Sequence, residues 1–216
     1  MLFLVKKQSE IEKVKEINEK QEYVSKTIWL ERNSFRFSLL GMFAALTVVL
    51  GYMLVYLPNI ELFTLMIFLS GFILGKRDGV IVGLMSSFIF VFFNPYGVSP
   101  LPLFAYQLFH YALVGFLGGI MCNYLGKKKF FKPDEDLYVL PVLIIFAITG
   151  ALITFTYDVI STLIGALVIY GTLESFWPVY IIGLPFTTIH LIGNTLGFIF
   201  ILPMLIQLVY KMLDIS

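Results

Sequence analysis

Asp158, His110 and His190 are the side chains best placed to do chemistry, because each interrupts a long apolar run. Asp158 reads as the only acidic residue deep in such a run. A charge at the centre of a bilayer costs about 2.5–3.5 kcal/mol on insertion scales, so an intramembrane Asp is expected to face a bundle interior and to carry function. Thr154, Ser161 and Thr162 share its helical face at i,i+3 and i,i+4 spacing. Tyr106 and Gln107 precede His110 by one turn, and Asn194 follows His190 by four residues on the same face. Two readings of these polar groups stay open. They hydrogen-bond between helices, where such bonds average about 0.6 kcal/mol, or they contact a ligand. A mixed reading has Asp158 pairing with a protonated His, the pair orienting a ligand amide or ring.

Several other chemistries fail on residue types. The chain has no Gly-rich phosphate loop ending in Lys-Ser or Lys-Thr. It has no His-Glu-x-x-His run, and its single Cys122 allows neither an internal disulfide nor a zinc cluster. No metal and no cofactor are therefore expected. His190-x-x-x-Asn194 is shared with one motif of intramembrane CAAX-type proteases, but the paired glutamates those enzymes need are missing from the apolar runs. An enzyme is not expected.

The elements that must position these residues are membrane helices. The chain is 59% hydrophobic with a mean hydropathy of +0.90. Period-two alternation is absent, so an all-α membrane protein is favoured over a barrel. Six apolar runs read as spans: Phe35–Leu57, Leu62–Gly75, Gly79–Phe93, Leu101–Leu125, Tyr138–Tyr170 and Phe186–Leu213. On that map all 15 Lys and Arg residues fall on one side. Cations flanking spans are retained in the cytoplasm, so both termini are expected there and loops one, three and five outside. Met1–Val5 is too short for a signal-peptide core, so no cleavage is expected. The net charge of +1 gives no reason to invoke nucleic acid. Residues 1–34 read as a charged cytoplasmic tail, amphipathic over Ser9–Arg32, and residues 35–216 as one transmembrane domain. The tail is expected to lie solvated or on the membrane surface, with docking to a partner as the other reading.

Depth then links the polar residues. Asp158 lies about 20 residues, or ~30 Å, from the cytoplasmic start of span five. His110 and His190 fall at a comparable level on spans four and six. Three polar helices at one level, beneath uncharged or weakly charged outer loops, predict a pocket open to the outside. The third loop, Asn94–Pro102, is dense in turn formers. The fifth outer segment, Gly171–Pro185, carries Trp177 and Tyr180, for which an interfacial aromatic belt is the simplest role. Small residues four apart, Gly41/Ala45, Gly71/Gly75 and Gly79/Gly83, permit close helix approach. The latter pairs suit packing within the bundle, whereas Gly41/Ala45 can face lipid or another subunit.

Taken together, these features resemble the substrate-binding S components of energy-coupling factor (ECF) vitamin transporters. The likeness is carried by Gly75-Lys-Arg-Asp-Gly79, Phe93-Asn-Pro-Tyr-Gly97, Leu103–Gly119 with Gln107 and Gly115/Gly118/Gly119, and His190-Leu-Ile-Gly-Asn194 followed by Leu202-Pro203. It spans about Phe35–Met212. The resemblance implies a six-helix bundle in the cell membrane that captures a vitamin outside, chiefly through spans four to six and loops one, three and five. On that basis Asn94, Tyr106, Gln107, His110, Asp158, Trp177, His190 and Asn194 are the candidate ligand contacts. It further implies a membrane coupling protein and two cytoplasmic ATPases as partners. In the family an Ala-x-x-x-Ala strip on span one meets the coupling protein, and here the matching positions are Gly41 and Ala45. Cobalamin or a precursor is the ligand suggested by the third-loop likeness. A cobalt or nickel importer is disfavoured, since those begin Met-His and this chain begins Met1-Leu2. The alternative is a membrane scaffold or assembly protein that transports nothing and works through Gly41/Ala45 and the tail.

Overall fold

The computed structural model describes residues 32–213 apart from Pro58. The amphipathic tail segment expected before span one therefore lies, up to residue 31, outside the described residues. Among the described residues all regular structure is helical. The helices are α1 (Asn33–Leu54), α2 (Phe63–Leu74), α3 (Lys76–Phe92), α4 (Leu101–Leu125), α5 (Leu140–Tyr170) and α6 (Phe176–Leu196). A one-turn π segment, Gly197–Ile201, then leads without a break into α7 (Leu202–Leu213). Four helical runs are long and apolar enough to cross a membrane: α1, α4, α5 and the continuous stretch Leu173–Met212. α2 and α3, of 12 and 17 residues, are shorter.

Glycine decides the packing of the amino-terminal half. A Cβ on Gly71 would sit 1.8 Å from the Gly115 carbonyl oxygen, and one on Gly115 would sit 2.0 Å from that of Gly79. No real side chain survives such distances, so α2, α3 and α4 meet backbone to backbone. The expected packing role thus holds for Gly71, Gly79 and Gly83, whereas a Cβ on Gly75 would meet nothing within 4 Å. Around this contact Phe63, Phe68, Phe72, Phe146 and Phe198 are fully buried. Gly150 on α5 receives the Phe198 ring from the π segment, and Phe198 in turn meets Phe68 edge-on at 5.1 Å.

Two expected boundaries are corrected. Lys76-Arg77-Asp78, which the expected spans Leu62–Gly75 and Gly79–Phe93 leave as a connecting loop, is helical. The chain reverses at Gly75 alone (φ 95°, a conformation that favours glycine), and Lys76 opens α3. Asp78 is thereby left in the first turn, where a carboxylate complements the helix dipole. There it accepts a charged hydrogen bond from Arg36 of α1. The last span starts at Phe176 rather than Phe186, and the long outer segment Gly171–Pro185 shrinks to a turn and one 3₁₀ turn, Leu173–Ser175. Pro185, the last residue of that expected outer segment, lies inside α6. Membrane helices tolerate such a proline because the freed backbone group finds other partners.

α5 and α6 form a hairpin that touches the α1–α4 half sparingly on the α4 side. The seam between these two halves positions the site.

Candidate ligand-binding site

Asp158 and His190 meet because α5 and α6 run back to back from a shared turn. Asp158 lies twelve residues before the end of α5, and His190 fourteen after the start of α6. At ~1.5 Å per residue both fall about 20 Å from that turn. His190 Nδ1 is 2.8 Å from Asp158 Oδ1. On the far side of the ring, Nε2 is 3.2 Å from Glu61 Oε1. Glu61 sits just before α2, and it also accepts from Thr64 Oγ1 and from Asn194 Nδ2 at 3.1 Å. Asn194 Nδ2 lies 3.0 Å from Thr154 Oγ1 as well. Asn194 Nδ2 also lies 3.2 Å from His190 Nε2. The imidazole is therefore held between two carboxylates, Asp158 at Nδ1 and Glu61 at Nε2, with Asn194 beside the latter.

Asp158 is the only acid deep in an apolar run, but a second carboxylate, the part-buried Glu61, joins it at the site from a loop. Hydropathy does not single Glu61 out, because it belongs to no apolar run. The signal available was a lone charge in the loop between α1 and α2, directly before a hydrophobic stretch and three residues ahead of Thr64. Burial by itself would raise the Glu61 carboxyl, but the donors on His190, Thr64 and Asn194 outweigh it and hold the group below its ordinary value.

Above this cluster opens a cavity of about 370 Å³. Asp158, His190 and Glu61 line its polar part, while Phe63, Phe90, Tyr96, Tyr111 and Tyr157 line the remainder together with Gly51–Leu57 of α1 and the first loop. The expected pocket over spans four to six is therefore displaced. Spans five and six give Asp158 and His190, but Glu61 comes from loop one, and α1 and loop one make much of the wall. Loop one is held across α6 by Asn59, whose Nδ2 donates to the Phe186 carbonyl at 2.9 Å. Asn59 adopts φ 58°, the left-handed conformation that Asn tolerates better than most residues.

The remaining candidates sort by distance from this cavity. Asn194 is buried beneath it and orders Glu61 and Thr154. His110 does not touch Asp158 or His190, because the Tyr157 ring stands between the two imidazoles, with centroids 5.0 Å from His110 and 6.1 Å from His190. Gln107 Nε2 donates to the Tyr157 hydroxyl at 3.1 Å, and Tyr106 packs on the same ring. These three residues brace Tyr157 from behind. Asn94 closes a turn by accepting from the Tyr96 amide at 2.9 Å. Trp177 is 65% exposed in the first turn of α6, against Phe176. Neither Asn94 nor Trp177 reaches the cavity. Gly41 and Ala45 are exposed on α1, and a Cβ on Gly41 would meet nothing within 4 Å.

Among the described residues no group of three His, Cys, Asp or Glu side chains is arranged to hold a metal ion. Glu61 and Asp158 grip opposite nitrogens of one ring, so they cannot converge on a shared cation. The arrangement suits recognition of an organic molecule, with a polar end at the carboxylates and a flat apolar part among the aromatics.

Comparison with known families gives a match over residues 34–211, to a model described as "ECF-type riboflavin transporter, S component". Comparisons with curated proteins and with solved structures return no match.

Proposed function

The chain belongs to the S-component family of ECF-type riboflavin transporters, and from that premise we propose that it captures riboflavin in the cavity floored by Asp158, His190 and Glu61. As a member of this family it is a vitamin-binding transporter subunit in the membrane, rather than an enzyme. The observation that carries the ligand reading is the cavity itself: about 370 Å³, aromatic on its walls and charged at one end. That volume lies toward the lower end of the ~300–1,000 Å³ range of small-molecule sites. It suits a fused tricyclic ring with a short polar chain better than a corrin, so riboflavin displaces cobalamin as the favoured ligand.

The rest of the transport reading follows the family. Six spans place both termini in the cytoplasm and the cavity mouth outside, in keeping with the one-sided distribution of Lys and Arg. α2 and α3 are short spans within that count. A membrane coupling protein docks on the exposed Gly41/Ala45 strip, and two cytoplasmic ATPases drive release inside.

The purified protein is expected to quench riboflavin fluorescence on titration, and to release riboflavin on denaturation after purification from cells, identified by mass spectrometry. Cobalamin is expected not to compete. Saturable cobalamin binding with no response to riboflavin would overturn the assignment.

A further inference from the structure

Resting on the reading of the chain as a transport subunit, we infer that the π turn Gly197–Ile201 is a hinge that stores one extra residue, which ligand capture does not need and ligand release does.

The last span is buried at intervals of four. His190, Asn194, Phe198, Leu202 and Ile206 face the interior, while Leu196, Phe200 and Met204 between them are exposed. An α-helix of 3.6 residues per turn advances such a row by about 40° at each step, or about 160° from His190 to Ile206. A helix face about 100° wide cannot hold that drift. The π turn absorbs it. Its wider bond, from the Leu202 N–H to the Gly197 carbonyl, accommodates one extra residue, worth about 100° of rotation.

The same phase has a simpler solution. With one residue fewer, Asn194 and Leu202 would be seven apart, and an ordinary α-helix returns to within about 20° of the same face after seven residues. The extra residue is therefore not required to set His190 and Asn194 above the Phe198–Ile206 row, and it weakens the helix. Pro203 offers no N–H to the carbonyls one turn before it. A second cavity, of about 350 Å³, flanks the turn, with Gly193, Gly197 and Phe200 on one side and Leu54, Ile60 and Glu61 on the other. No side chain fills the helix surface there: a Cβ on Gly193 would come no closer than 4.0 Å to the Asn59 carbonyl oxygen, and one on Gly197 would stand 3.4 Å from Leu65.

A weakened turn with room beside it is a place where a helix can change register, and π turns recur at functional sites for that reason. The inner side of the turn is fixed. The Phe198 ring sits against Gly150 and Phe68, and the Phe200 carbonyl accepts from the Tyr138 hydroxyl at 2.6 Å. Movement therefore goes outward. Migration of the bulge into Gly193–Gly197 turns the residues it passes by about 100° against α7. Asn194 is among them and parts from Thr154 and Glu61, so the floor of the ligand cavity loosens.

The test is deletion of Ile199, which leaves an ordinary α-helix in the same phase. Pro203→Ala is the second variant and returns the missing N–H without changing the length. Each full-length variant is assayed in detergent for riboflavin binding by fluorescence quenching and for hydrogen exchange of the 193–202 amides. Each is then placed in liposomes with a coupling protein and two ATPases for ATP-driven riboflavin uptake. In the deletion variant the Kd for riboflavin is expected to stay within about three-fold. Exchange at those amides is expected to slow about ten-fold or more, and uptake to fall about ten-fold or more. Pro203→Ala is expected to shift exchange and uptake in the same directions by less. Slowed exchange with undiminished uptake, in either variant, overturns the hinge, and Pro203→Ala decides alone if the deletion does not fold. Loss of riboflavin binding in a monodisperse variant also overturns it, because the turn then serves capture. So does lost uptake that stems from failure to assemble with the coupling protein. If the unmodified protein does not bind riboflavin, the ligand reading falls separately. Amides 197–202 that exchange as slowly as those in the middle of α4 overturn the hinge whatever the ligand.

Discussion

At the scale of single residues, Glu61 is the group whose role is most sharply defined by its neighbours. It holds His190, Asn194 and Thr64 at one oxygen, so its removal leaves buried donors unmet as well as a lost charge. Truncating one member of such a network costs about 1–3 kcal/mol. Glu61→Ala and His190→Ala are each expected to weaken riboflavin binding about ten-fold or more, read by the same fluorescence titration, with the protein still monodisperse on gel filtration. Undiminished affinity in both variants would remove the cluster from the binding site. Acid dependence has a defined sign. Because the Glu61 carboxyl lies below its ordinary 4.5, its contribution is complete above that pH and is lost as pH falls further through the depressed value. Riboflavin affinity measured across an acid series is expected to stay level down to about pH 4.5, with any steeper acid limb softened in Glu61→Gln.

At the scale of elements, the backbone contact among α2, α3 and α4 is the feature least tolerant of change. A methyl on Gly115 would meet the Gly79 carbonyl oxygen at 2.0 Å, and neither partner is a flexible side chain that can move aside. Overpacking of this kind costs about 1–3 kcal/mol or more. Gly115→Ala is expected to lower the Tm in detergent by several degrees, while Gly41→Ala, with nothing within 4 Å, is expected to leave it unchanged. Equal melting temperatures for the two variants would show that the helices separate freely. The α5–α6 hairpin behaves differently. It is held to the other half by Phe198 against Phe68, by Asn59 on the Phe186 carbonyl, and by the Glu61–His190 contact. Tight packing on one side of the seam and a polar clasp across it leave room for the cavity between.

At the scale of the whole molecule, the cavity and the proposed docking strip lie apart. The cavity is lined in part by loops one and three, whereas Gly41 and Ala45 are exposed along α1 toward its amino-terminal end, on the side of the Arg36–Asp78 pair. Gly41→Leu is therefore expected to abolish co-purification with a membrane coupling protein and its ATPases while riboflavin affinity stays within two-fold of the unmodified protein, by the scale of surface changes remote from a site. Loss of ligand binding in that variant would show the surfaces to be coupled in the isolated subunit. Retained partner binding would move the docking face elsewhere. The non-transporting scaffold reading makes the same prediction for Gly41 but requires no ligand, so the titration separates the two.

The sequence by itself determined the class. Apolar run length and small residues at four-residue spacing are local properties, and each survives without knowledge of which helix meets which. Thus α4 and α5 are found within two residues of their expected limits, and Asp158 and His190 stand paired as their common depth suggested. Tertiary structure decided what local pattern could not. Pro185 breaks a helix or bends into one according to what surrounds it, and here α6 runs through. Glu61 stands in a loop by sequence but reaches the buried imidazole 129 positions away. His110 shares the depth of His190 but lies behind the Tyr157 ring, because the rotation of α4 about its own axis is set by glycine contacts with α2 and α3 rather than by its polar face. Depth along a membrane helix is a one-dimensional quantity that spacing encodes. Which polar groups touch depends on helix rotation and loop closure, and those are fixed only when the whole bundle packs.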